Sequence, residues 1–110
     1  MAKLGRVRFT GKSGQTYVFN VYPIDTPLKE VGGIYCITRR YKNSNKKYVH
    51  KLIYIGRTED LSTRFDGHHK DECFVENDAN CICTYSEDDH DLRCTKETDL
   101  INRHNPPCNG

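Results

Sequence analysis

Residues 33–39 read GIYCITR, and residues 48–56 read YVHKLIYIG. Both stretches are rich in β-branched and aromatic side chains, which fit a pleated, half-buried surface. Between them, Lys42-Asn43-Ser44-Asn45-Lys46 has the composition of a turn, so the two stretches predict an antiparallel hairpin. Apolar residues occupy both faces near its middle: Ile34, Tyr35, Cys36 and Ile37, then Leu52, Ile53, Tyr54 and Ile55. A hairpin buried on both sides belongs inside a sheet with material packed on each face. A turn centred on Ser44-Asn45 places Tyr35 directly opposite Tyr54, two phenols side by side on one face.

Working outward, residues 6–10 (RVRFT) and 16–22 (TYVFNVY) alternate polar and apolar around the turn Gly11-Lys12-Ser13-Gly14, a second hairpin. Pro23 and Pro27 mark a crossing loop. After the central hairpin, Thr58 is placed to cap a helix with Glu59 and Asp60 in its first turn. Leu61 and Phe65 would form its buried stripe, and Gly67 weakens its end. Residues 81–85 (CICTY) read as a short strand. A last helix opens at Ser86, with Asp89 in capping-box spacing, and runs to about His104 before Pro106-Pro107 stops it. The expected fold is α+β: a small antiparallel sheet flanked by helices, with residues 1–31 as an N-terminal hairpin extension packed on a core of residues 32–110.

The chain has 110 residues, the common size of one domain. Leu, Ile, Val and Phe make up only 23 of them, but a net charge of +2 argues against disorder. No stretch approaches the roughly 18 apolar residues of a membrane span. The basic segment Met1 to Phe9 lacks the apolar centre of a secretory signal. The expected location is the cytoplasm, where the six cysteines should be thiols rather than disulfides. Cys81 and Cys83 stand two apart and no C-x2-C pair occurs, a poor pattern for zinc. Charge is unevenly spread. Residues 39–51 carry six Lys or Arg and no acid, whereas residues 87–91 (EDDHD) are acidic. Arg40, Lys42, Lys46 and Lys47 are therefore candidates for contacts to a nucleic-acid backbone, the alternative being a solvated face.

Three further groups carry chemistry. Arg64 and His68 are four apart on the expected first helix and share a face. Arg57 lies just past the second tyrosine strand. Most pointed is Glu97: His90, Cys94, Glu97, Ile101 and His104 follow one helical face, widened by Leu100. A carboxylate in the centre of an inward face is costly unless an arginine pairs with it or a metal binds it.

Gly33-Ile34-Tyr35 and Tyr54-Ile55-Gly56 are the two tripeptides that name the GIY-YIG nuclease superfamily, and the chain resembles that family further. In the family's order there follow an Arg ten residues after the second Tyr (Arg64), a His four later (His68), a helical Glu (Glu97) and a late Asn after proline (Asn109). The resemblance spans residues 32–109. It implies a three-stranded antiparallel core flanked by helices, and hydrolysis of DNA phosphodiester bonds. It further implies that Glu97 ligates one Mg²⁺ or Mn²⁺ and that Arg64 offsets charge on the phosphoryl group. Tyr35 would help deprotonate water, given a neighbouring cation such as Arg57 to lower its pKa. Tyr54 and His68 would orient water or phosphate, and Asn109 would brace the site. A chain this short has no separate recognition domain, so either specificity is low or it comes from a homodimer or a separate partner. The alternative function is a non-catalytic nucleic-acid-binding module on the same fold; a purely structural domain would leave Glu97 unexplained.

Overall fold

The computed structural model describes residues 3–63 and 70–109. Its strands are β1 (Gly5–Thr10), β2 (Thr16–Pro23), β3 (Gly33–Lys42), β4 (Tyr48–Thr58) and β5 (Cys81–Ser86). They form one antiparallel sheet in the order β1-β2-β5-β3-β4. Two helices, α1 (Asp71–Glu76) and α2 (His90–His104), and two 3-10 turns, Leu61–Thr63 and Pro107–Asn109, complete an α+β fold. β5 joins the two hairpins into one sheet by pairing with β2 on one side and β3 on the other. Its residues Cys81 to Thr84 are all buried, as a central strand covered on both faces requires.

The two-sided apolar pattern of residues 33–56 is realised as two cores, one on each face of the sheet. Ile34, Cys36 and Ile55 pack with Phe9, Phe19, Cys83 and Leu100 of α2. Tyr35, Ile37 and Ile53 pack on the other face with Leu61, Phe74, Ile82 and Cys108.

The hairpin register differs from the expected one: Tyr35 pairs with Gly56, and Ile37 with Tyr54. Two causes each move the pairing by one residue. The turn is five residues long, 43–47, and so centres on Asn45. Asn43 Oδ1 holds it by accepting from the amides of Asn45 (2.9 Å) and Lys47 (3.1 Å), with Lys46 in the left-handed region. A bulge then falls between Ile37 and Thr38, whose partners are Tyr54 and Leu52, leaving Ile53 as the extra residue. A one-residue slip alone would turn Tyr54 to the opposite face, and the bulge turns it back. The two phenols therefore share a face as diagonal neighbours, ring centroids 6.0 Å apart.

Thr58 ends β4 rather than capping a helix. Its hydroxyl bonds both the amide and the carbonyl of Asp60. Asp60 in turn accepts from the Ser62 amide (2.9 Å) and hydroxyl (2.6 Å), opening the first 3-10 turn. Leu61 is buried as expected, while Arg64, Phe65, Gly67 and His68 lie outside the described residues. α1 was not anticipated from the sequence, since six residues are too few to show a helical stripe; it buries Phe74. The second helix begins at His90 instead of Ser86. Asp89 is its cap, accepting from the Leu92 amide at 3.0 Å, and Ser86 pairs with Gly33 at the end of β5. It ends at His104, before Pro106-Pro107 as the sequence anticipates, with Asn105 as a left-handed cap that the sequence reading did not name.

The expectation of six thiols is corrected. Cys73 and Cys108 form a disulfide joining α1 to the C-terminal 3-10 turn, while Cys36, Cys81, Cys83 and Cys94 are free. The two Cα atoms stand 5.9 Å apart only because α1 carries Cys73 there. Among the described residues no helix is long and apolar enough to cross a membrane.

Candidate active site

The site gathers at β4, the edge strand, where it meets α2. Gly56 lies beneath the tyrosines: a Cβ there would stand 2.7 Å from the Tyr35 hydroxyl and 2.8 Å from the Tyr54 ring. The last letter of Tyr54-Ile55-Gly56 is thus a packing requirement, because only glycine lets both rings lie over the strand. Tyr35 is 4% exposed, and Tyr54 is half-buried at the rim of the cleft.

The next residue, Arg57, pairs with Ile34 and so belongs to the opposite face, the one α2 covers. There its guanidinium donates to Glu97 Oε1 at 2.7 Å. Glu97 is mostly buried (13% exposed) and Arg57 is not (45%). Of the two ways of satisfying an inward carboxylate, the arginine pair is therefore present. Glu97 Oε2 makes no hydrogen bond among the described residues. A cleft of about 430 Å³ wraps this edge, lined by Tyr54, Arg57, Thr58, Glu59, His90, Arg93 and Glu97.

Burial, and next the charge of Glu97, push the Tyr54 pKa up, outweighing its hydrogen bond with Tyr35 and the pull of Arg57. A cation was expected to lower the pKa of Tyr35; at its neighbour Tyr54 the balance runs the other way, because burial and then the charge of Glu97 outweigh Arg57. Tyr54 is accordingly a neutral phenol at neutral pH.

Asn109 braces β4 from outside. Its Oδ1 accepts from the Ile55 amide and its Nδ2 donates to the Ile55 carbonyl, both at 2.8 Å, mimicking a further strand at the residue between Tyr54 and Gly56. The inward face of α2 is displaced from the one expected: His90 is exposed, and Arg93 and Leu100 are the buried residues. Arg93 is a cleft residue that sequence reasoning missed, although it stands one turn before Glu97. It donates to the carbonyls of Glu87 (2.8 Å) and Asp88 (3.1 Å) and packs where a side chain at Gly32 would otherwise project.

The structure thus brings Tyr35, Tyr54, Arg57, Glu97 and Asn109 to one edge. Arg64 and His68 lie outside the described residues. Arg40, Lys42, Lys46 and Lys47 sit at the other end of the hairpin; at roughly 3.3 Å per residue Lys42 is about 23 Å along β3 from Tyr35.

The donor set bears on which metal could fit. No group of three His, Cys, Asp or Glu side chains gathers among the described residues, which disfavours a closed zinc-type shell. Mg²⁺ commonly uses one or two carboxylates and completes its shell with water and substrate phosphate. Glu97, with an uncommitted oxygen, and Glu59 on the same cleft fit that pattern. Compared with models of known families, with curated proteins and with solved structures, the chain matches none.

Proposed function

We propose that the chain is a divalent-metal-dependent DNA endonuclease of the GIY-YIG type, with β5, β3 and β4 as its three-stranded core. The observation that carries this reading is the meeting of Tyr54, Arg57 and the mostly buried Glu97 around a single cleft on the edge strand, with Tyr35 packed against Tyr54. Glu97 would hold Mg²⁺ or Mn²⁺, which when bound supplies positive charge for the leaving 3′ oxygen. Tyr54, at the cleft rim, orients the attacking water and, once ionised, takes its proton, its phenolate held by the hydrogen bond with Tyr35. Burial, and next the charge of Glu97, oppose that ionisation, so neutralising Glu97 removes the second of these and favours the base. Arg57, once it shares Glu97, is free to hold a phosphate oxygen by charge-assisted hydrogen bonds. Arg64 and His68 complete the assignment on phosphate and water, and Asn109 keeps β4 from fraying at Ile55.

The second reading, a non-catalytic nucleic-acid-binding module, is favoured by one observation: Glu97 already has a partner in Arg57. Incubating supercoiled plasmid with the protein in Mg²⁺ and in EDTA separates the two. Nicking that requires the metal is expected. Binding without nicking in either condition would leave the binding module.

A further inference from the structure

Beyond Thr38 the β3–β4 hairpin leaves the sheet. Pairing of β3 with β5 stops at Thr38↔Cys81, whereas pairing with β4 continues through Arg39↔Lys51, Arg40↔His50, Tyr41↔Val49 and Lys42↔Tyr48. These four pairs and the turn form a two-stranded arm, about 13 Å long before its turn at roughly 3.3 Å per residue. The arm is fixed at both ends. At its root Asn80 Oδ1 accepts from the Arg40 amide (2.7 Å) and Nδ2 donates to the Arg40 carbonyl (3.0 Å). At its tip Asn43 holds the turn.

The charges lie on both faces. Strand alternation puts Arg39, Tyr41 and Lys51 on one side and Arg40, Lys42 and Tyr48 on the other, with Lys46 and Lys47 in the turn. Each face has an arginine laid over an exposed tyrosine ring, Arg39 on Tyr41 at 5.1 Å and Arg40 on Tyr48 at 3.6 Å. Residues 31–58 contain no Asp or Glu. A surface that meets one phosphate backbone side-on needs cations on one face only. A ribbon that is cationic on both faces and at its tip matches a channel with phosphates on two walls. The major groove of B-form DNA is such a channel, about 12 Å wide and about 8.5 Å deep, and it admits a two-stranded ribbon. The arm is long enough to reach its floor.

We propose that the arm of residues 39–51 inserts into the major groove of double-stranded DNA. This rests on the reading of DNA as the partner and is independent of catalysis. The test uses the full chain in EDTA with a short duplex and with its separate strands. Dimethyl sulfate probes guanine N7 in the major groove and adenine N3 in the minor groove. The chain should prefer the duplex and shield N7 but not N3. Lys42→Gln/Lys46→Gln/Lys47→Gln, three exposed positions, should lose that shielding and reduce the slope of log affinity against log salt by about 2–3, near 0.9 for each phosphate that is no longer neutralised. Lys12→Gln, in the turn between β1 and β2 on the far side of the sheet, should change neither. Shielding of N3 instead of N7, preference for single strands, or unaltered shielding by the triple variant would overturn the proposal. N7 shielding by a chain that never nicks plasmid upholds the arm and removes the nuclease reading; nicking without N7 shielding does the reverse, and failure to bind DNA at all removes both.

Discussion

At its inner end the β3–β4 hairpin carries Tyr35 at 4% exposure, and at its outer end Tyr41 at 41% and Tyr48 at 53%. Both ends set tyrosines beside arginines. At the inner end the rings sink over Gly56 between packed neighbours, and the charge of Glu97 reaches Tyr54 through poorly screened surroundings. At the outer end the same residue types stand in water, where charge acts through salt-sensitive, long-range attraction. The two ends even share a device. Asn109 clamps the amide and carbonyl of Ile55 within the fold, and Asn80 clamps those of Arg40 at an exposed position. Burial, rather than residue type, sets what each end can do: one can perturb chemistry, the other can grip a polyanion.

The largest expected effect breaks the comparison at the inner end. Glu97→Gln should lower metal-dependent nicking by on the order of 10³-fold while leaving duplex binding through the arm intact. Because Arg57 is nearly half exposed, losing the pair should cost no more than about 1 kcal/mol, so the fold should survive. An active Glu97→Gln in the plasmid assay would remove Glu97 from the mechanism.

Next comes the disulfide. Reducing Cys73–Cys108, 35 residues apart in sequence, should lower stability by about 3–4 kcal/mol in urea unfolding. The loss should appear at the inner end, where the tethered turn delivers Asn109, as faster amide exchange at Ile55. Exchange rising equally in the arm would mean that the two ends are not independently held.

The paired clamps allow a smaller and cleaner test. Asn109→Ala leaves two partly buried backbone groups unpaired and should cost about 1–3 kcal/mol. Asn80→Ala exposes its groups to water and should cost about 0.5–1.5 kcal/mol, the net value of an ordinary hydrogen bond. Equal losses in matched urea melts would show that burial does not separate the ends.

The smallest effect is on titration. Tyr54 is shifted up by burial and then by Glu97, so below the unfolded tyrosine value near 10 its neutral form contributes its full stability. That contribution fades as pH rises through the higher folded pKa. Tyr17, pushed up to about 12 by burial and by its hydrogen bond to Asp99, behaves likewise. Phenolate absorbance should therefore show both residues ionising late, and Glu97→Gln should advance Tyr54 but leave Tyr17 unmoved. Tyr54 ionising no earlier in that variant would show that burial alone sets its pKa.

Local chemistry made much of this protein legible from its residues: alternation marked the first hairpin, β-formers around a polar turn marked the second, and Pro106-Pro107 marked the end of α2. Glu97 stood out from the helical pattern, and the resemblance of the motifs in their order named Tyr35, Tyr54, Arg57 and Asn109 as candidates beside it. Which of them meet could not be read that way. The register of β3 against β4 depends on the length of the turn, which Asn43 holds, and on the bulge at Ile53, a residue buried in the core beside Tyr35 and Ile37. The Glu97–Arg57 pair, the Asn109 clamp and the Cys73–Cys108 bond join positions 40, 54 and 35 residues apart. Side chains that far apart are brought together only once the sheet and α2 have closed around their cores, because burial, not sequence neighbourhood, offsets the entropy of ordering them.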